Sequence, residues 1–149
     1  MKQGMLLGLA IILAVGASGA SDNPQDDLPR MAGTWESHLL EAGGQAIPPQ
    51  ERDGFKMKLV IRGSTYAFLM EEKQFIAGKL VLDPSKKPRT IDAIPNEGPH
   101  RGKLQPGIYQ FDGEDMMFVF AEPGQRRPTE FRTRAGTTEM LILYKRVAK

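Results

Sequence analysis

The chain has 149 residues, with 20 lysine and arginine residues against 18 aspartate and glutamate residues and a formal net charge of +2. A charge this close to balance provides no general attraction to nucleic acid or to an anionic membrane, so neither is an expected partner. Because the chain has no cysteine, disulfide bonds and thiolate metal sites are excluded.

The N-terminus has the pattern of an export signal. Lys2 supplies a positive charge, residues 5–17 form an apolar stretch, and small residues continue to Ala20. The stretch is too short to cross a bilayer comfortably, so it predicts a cleaved signal peptide over residues 1–20, with cleavage after Gly19 fitting nearly as well. We expect an exported protein, periplasmic or extracellular, that is a soluble monomer without stable membrane insertion after cleavage.

The segment that follows the signal is polar. Residues 21–30 contain two prolines, and this composition predicts a flexible linker. The folded domain is therefore expected over residues 31–149.

The domain consists mainly of short runs with strand character. In residues 55–61, apolar residues alternate with Lys56 and Lys58, a period of two that is typical of a strand with one buried face. Asp112 and Gly113 lie between two apolar runs, which is a strong hairpin signal. No amphipathic stretch is long enough for a major helix. The predicted strands are residues 35–41, 55–61, 65–70, 74–82, 90–94, 108–111, 116–121 and 139–146.

These strands predict an all-β fold. Eight sequential strands with hairpin-length connections favour an eight-stranded antiparallel up-and-down barrel, because closure leaves no exposed edge. Residues 43–54 are interpreted as a long polar connection, and residues 128–132 stay ambiguous between strand and loop.

The head of the first predicted strand carries a family resemblance. Gly33-Thr34-Trp35 is similar to the Gly-x-Trp signature of the calycins, the group that includes lipocalins and fatty-acid-binding proteins. The resemblance implies a lipocalin-like barrel in which Trp35 plugs one end. It also implies that Arg146, from the last strand, packs across Trp35 as its structural partner.

A second resemblance covers nearly the whole mature domain. Several motifs stand in the order and approximate spacing of a paralogous family of uncharacterised exported proteins expanded in planctomycete bacteria. That family has no established activity, so the resemblance implies the barrel and the export but no catalytic residue. The motifs are Gly33-Thr34-Trp35, Leu82 to Asp92, Gly107 to Tyr109, Ala121 to Gly124, Arg127 to Phe131 and Leu143 to Arg146.

No residue pattern in the chain predicts catalysis, so we expect neither an enzyme nor a cofactor. Without cysteine, a zinc site would need both His38 and His100 together with carboxylates. Met116 and Met117 are adjacent and would point to opposite faces of a strand, which disfavours a copper(I) site. The sequence also lacks a nucleophile elbow and a phosphate-binding loop. We therefore expect no metal.

Three residues are candidates for contact with a ligand. Asp92, Tyr109 and Arg127 offer hydrogen-bonding groups beside apolar strands. Asp92, between Ile91 and Ala93, either points into the barrel or is held by loop backbone or a basic neighbour, since buried charges are generally paired.

Two functions remain open. A hollow barrel would bind a small apolar or amphipathic molecule. A barrel filled by bulky residues such as Phe68 and Phe118 would act through its loops, as a protein or polysaccharide interaction module in the periplasm or at the cell surface. Small inward residues such as Ala67, Ala77 and Ala93 would favour the hollow barrel, and the sequence leaves their direction open.

Overall fold

The computed structural model describes residues 27–54 and 57–147. The predicted signal peptide, residues 21–26 of the predicted linker and the first two residues of the strand predicted over 55–61 lie outside these ranges. None of the helices in the described ranges has the length and apolar character needed to span a bilayer.

The described chain forms one antiparallel sheet and two short helices. The helices are α1 (Leu28–Met31) and α2 (Pro49–Gly54), and the strands are β1 (Gly33–Ala42), β2 (Gln45–Ala46), β3 (Met57–Arg62), β4 (Thr65–Met70), β5 (Lys73–Asp83), β6 (Arg89–Pro95), β7 (Gln105–Asp112), β8 (Asp115–Phe120) and β9 (Met140–Arg146). Because β1 pairs with both β3 and β9, all strands except β2 close into an eight-stranded barrel. The predicted all-β, eight-stranded antiparallel barrel is confirmed, and its architecture is lipocalin-like.

The structure differs from the sequence-based expectations in three segments. Residues 43–54, expected as a plain connection, contain the short strand β2 and helix α2. The ambiguous residues 128–132 are not a strand but part of a longer segment between β8 and β9. Helix α1 begins at Leu28, inside the predicted linker, because Leu28 and Met31 are buried against the barrel core. The ordered domain therefore begins before residue 31.

Alternation along the strands separates the core from the outer surface. On β3, Leu59 and Ile61 are buried, whereas Lys58 and Val60, which alternate with them, are only partly buried. The same period of two along the other strands directs apolar side chains into the barrel interior. The largest fully buried side chains include Trp35, Tyr109, Tyr144, Met31, Ile61, Leu82, Ile91 and Met116.

One end of the barrel is closed by Trp35. Its indole Nε1 donates a hydrogen bond to the carbonyl oxygen of Met31 in α1 at 2.8 Å. The guanidinium carbon of Arg146 lies 4.2 Å from the centroid of the Trp35 ring. Arg146 also donates to the carbonyl oxygens of Ala32 and Arg30, at 2.5 and 2.9 Å. The contact between Trp35 and Arg146 is thus present, and it joins the first strand, the last strand and α1.

Residues 121–139, which we call the strap, connect β8 to β9 across the outside of the barrel. Phe131 of the strap packs on a second apolar cluster, formed by the outward-facing Ile108, Val119 and Leu141 of β7, β8 and β9. Thr133 donates from its amide and its hydroxyl to Glu41 Oε1, at 2.9 and 2.8 Å. The strap is therefore held by both apolar packing and hydrogen bonds.

Gly33 is predicted to be irreplaceable at the closed end. Its φ of +132° disfavours any residue with a side chain, and an added Cβ would lie 2.6 Å from Arg146 Nη1. Arg146 could move away only by giving up its bonds around Trp35. We expect Gly33→Ala to lower the free energy of unfolding by about 3 kcal/mol, measured by urea denaturation.

Gly113→Ala is the matched control for this substitution. Gly113 has a φ of +59° but open space where a Cβ would stand, so its substitution should cost only about 1 kcal/mol. Equal losses in the two variants would contradict the role given to the Arg146 contact.

Candidate functional site

A cavity of about 260 Å³ lies inside the barrel. Its wall is mainly apolar and is built by inward-facing residues from seven of the eight barrel strands. Representative wall residues are Leu59, Tyr66, Leu80, Ile91, Phe118 and Ile142.

The cavity reaches the barrel end opposite Trp35. Because β9 ends at Arg146 in the closed end, the strap that leads into β9 lies at the other end, as does the connection from β6 to β7. Four polar side chains from these two connections and their strand ends line the cavity, and we call them the mouth. The mouth residues are His100, Gln105, Glu122 and Thr138.

The sizes and positions of the inward-facing side chains leave the cavity open. Phe68, Phe118 and Phe120 face the interior but line the space without filling it. Ala93 also lines it, and its small side chain leaves room. The ring of Phe120 lies directly against the backbone of Gly107 in β7. A Cβ on Gly107 would lie only 2.5 Å from this ring, so there is no space for a larger residue.

Tyr66 places a hydroxyl in the otherwise apolar wall. Burial raises the pKa of Tyr66 to about 12, so the phenol is neutral at neutral pH and can donate a hydrogen bond. Its ring contacts Phe68 edge to face, with centroids 5.6 Å apart. Among the described residues, none forms a hydrogen bond with the Tyr66 hydroxyl, which leaves this donor available to a bound molecule.

Most of the mouth side chains have hydrogen-bonding groups without a partner in the described ranges. The Thr138 hydroxyl accepts a bond from the Glu122 amide at 3.3 Å. Within the described ranges, the side chains of His100, Gln105 and Glu122 form no hydrogen bond or ion pair. A polar group brought to the mouth could therefore bind them without displacing an existing partner.

The structure brings two of the predicted ligand contacts together, but outside the barrel. Ile91 and Ala93 line the cavity, so Asp92 between them faces outward. Arg127 of the strap donates to Asp92 Oδ1 at 2.6 Å and to the carbonyl oxygens of Ile91 and Gly107, at 3.1 and 2.9 Å. The interpretation of Asp92 as an inward residue is wrong. The alternative, a carboxylate held by a basic neighbour, is confirmed.

Tyr109 lies at the closed end. It is 1% exposed, and its hydroxyl donates to Asp27 Oδ2 at 2.8 Å. Burial, and then the bond to Asp27, raise the pKa of Tyr109 well above its usual range. Tyr109, Asp92 and Arg127 are not among the described residues that line the cavity. Each is held by other residues of the protein: Tyr109 by Asp27, and Asp92 and Arg127 by each other.

Sequence reasoning missed the mouth. Of its members, the sequence analysis includes only His100 in a candidate site, as a zinc ligand. Gln105, Glu122 and Thr138 come from the start of β7 and the two ends of the strap, so no local pattern links them. Tyr66 could have been found, because it alternates with Phe68 on a predicted strand.

These features define a closed, lipocalin-like antiparallel barrel with an interior cavity. Comparison with protein-family models, with curated proteins and with solved structures gave no significant match. The resemblances to calycins and to the planctomycete family therefore stay predictions.

The bonds of Arg127 predict that it fixes the strap to the barrel. Arg127→Met keeps an extended apolar side chain but removes all three hydrogen bonds and leaves Asp92 without its cation. We expect a loss of about 2 kcal/mol in the free energy of unfolding, measured by urea denaturation. Arg132→Met is the matched control, because the ion pair of Arg132 with Glu130 is exposed and should be worth less than about 1 kcal/mol. Similar losses in both variants would refute the anchoring role.

The tyrosines predict a loss of stability in alkali. Burial raises the pKa of Tyr66 to about 12 and raises the pKa values of Tyr109 and Tyr144 above the ordinary 10.0. The folded chain holds these protons more tightly than the unfolded chain, so their stabilising contribution is complete below about pH 10 and is lost as the pH rises through about 12.

Ultraviolet absorbance measures this directly. Phenolate absorbance should stay low near pH 10 while the protein is folded, and then appear together with unfolding at higher pH. In denaturant the same chain should titrate near the ordinary value of about 10. A full phenolate signal at pH 10 from a protein that is still folded would contradict the burial of these hydroxyls.

Proposed function

We propose that this protein binds a small amphipathic molecule inside its barrel, with the apolar part of the molecule in the cavity and the polar part at the mouth. The observation that carries the proposal is the apolar cavity of about 260 Å³ that opens among polar side chains. Apolar walls with a few well-placed polar groups are the usual form of a small-molecule site.

The cavity volume limits the size of the ligand. A protein cavity of roughly 150 Å³ holds benzene, whereas pockets for drug-sized molecules start at roughly 300 Å³. A volume of about 260 Å³ therefore suits a substituted ring or an apolar chain of about eight carbons. Molecules much larger than this would have to project through the mouth.

The lining residues could bind both the apolar part and the polar part of such a ligand. Burial of the apolar part would provide most of the binding free energy, at about 25 cal/mol per Å² removed from water. The polar part would bind the free hydrogen-bonding groups of the mouth. The Tyr66 hydroxyl could also donate to an acceptor on the buried part, such as a carbonyl or ether oxygen.

Two sequence features support this proposal. The predicted signal peptide would place the binding protein in the periplasm or outside the cell, and the calycin resemblance implies a barrel type that often encloses ligands. The alternative, a filled barrel that acts through its loops, requires side chains to occupy the interior, and the cavity weighs against it. We propose binding by a monomer, since the cavity is built from one chain.

Reducing the cavity volume should weaken binding. Ala93 lines the cavity, and Ala93→Leu would add an isopropyl group to that space. Octanol is a suitable probe, because it matches the cavity in size. We expect at least a tenfold weaker affinity for octanol, about 1.4 kcal/mol, in a calorimetric titration.

Ala67→Leu is the matched control, because Ala67 pairs with Val60 and Ala77 on the outer face of the barrel. This variant should bind octanol as the unmodified protein does. If Ala93→Leu bound octanol with unchanged affinity, the interior site would be excluded. If Ala93→Leu weakens binding as expected, native mass spectrometry of the protein purified from its own host would identify the natural ligand of the interior site.

A further inference from the structure

The mouth has a charge of one sign. Glu122 is the one charged side chain among the described residues that line the cavity. The remaining polar lining groups are the side chains of His100, Gln105, Thr138 and Tyr66. A ligand whose polar part lies at the mouth would therefore meet a carboxylate and no lining cation.

The charged residues near the mouth add no cation to the lining of the cavity. Arg101 and Lys103 flank His100 in sequence, but both are exposed and neither lines the cavity. Glu139, between the lining residues Thr138 and Met140, faces away from the cavity and is paired with Arg134 at 3.0 Å. No arginine or lysine among the described residues that line the cavity could serve as a counter-ion for an anionic ligand.

The Glu122 carboxylate is the one mouth group that can act only as an acceptor, and it favours a donor on the ligand. The carboxylate of Glu122 is an acceptor, and the side-chain oxygens of Gln105 and Thr138 can accept as well. An ammonium group carries three donors, which these oxygens could accept. A ligand carboxylate would instead face Glu122, and although Glu122 is exposed, two like charges at close range repel each other.

We infer that the ligand is an amine, with its ammonium group at the mouth against Glu122 and Gln105 and its apolar chain or ring in the cavity. This inference rests on the proposed binding function and specifies the chemical class of the ligand. It distinguishes this barrel from one that carries fatty acids, whose carboxylates are favoured by a cation in the lining and opposed by a lining carboxylate such as Glu122.

Three probes of equal chain length test the inference. Octylamine, octanol and octanoate share the apolar chain and differ only in the charge of the polar end at neutral pH. We expect calorimetric titration to show octylamine binding at least tenfold more tightly than octanoate, with octanol between them. Added salt should weaken the binding of octylamine and leave octanol nearly unchanged.

Glu122→Gln provides the site-specific test, because it removes the charge and keeps the size of the side chain. The variant should bind octylamine about threefold to fivefold more weakly, the size expected for an ion pair with an exposed carboxylate, and octanol as before. Glu130→Gln is the matched control: it removes one negative charge from the same strap, at an exposed residue that does not line the cavity, and should leave all three affinities unchanged.

The outcomes separate this inference from the proposed function. Octanoate binding as tightly as octylamine, or octylamine binding that Glu122→Gln leaves unchanged, would overturn the amine assignment. In either case, the proposed interior site would still be supported if Ala93→Leu weakened the binding of octanol. Failure of all three probes to bind would count against both.

Discussion

The stacking of Arg146 on Trp35 is the interaction on which the rest of the structure depends. It links the end of the last strand to the start of the first and ties both to the carbonyl oxygens of Arg30 and Ala32. The barrel is closed by backbone pairing of the same two strands, with Trp35 opposite Arg146. Because this end is filled and covered by α1, the interior can open only at the opposite end.

The strap contributes part of the polar lining at the open end of the barrel. Arg127 fixes it over β6 and β7, and Thr133 fixes it to Glu41 on β1. Its two ends carry Glu122 and Thr138, half of the polar mouth. The outer contacts of Asp92 and Arg127, first interpreted as ligand contacts, therefore serve the cavity indirectly, by holding the segment whose ends line it.

The hydroxyl groups in the interior differ in their partners. Tyr109 donates to Asp27 at the closed end. The Tyr144 hydroxyl is fully buried and is the one side-chain polar atom in the described part of the chain that is buried without a hydrogen-bond partner. An unpaired buried hydroxyl costs about 1–3 kcal/mol. Tyr66 lines the cavity, so a ligand can bond its hydroxyl.

The sequence by itself determined the eight barrel strands and their antiparallel order, and its resemblance to the calycins implied the pair Trp35 and Arg146 at the closed end. Alternation and turn residues act over a few positions, so β3 or the hairpin at Gly113 can be recognised locally. Only the tertiary structure decided that the interior is hollow, because a cavity depends on the summed side-chain volumes of eight strands. It also decided that Asp92 faces Arg127 and that Gln105 lies near Glu122. These residues are distant in sequence, and the register and curvature of the closed sheet bring them together.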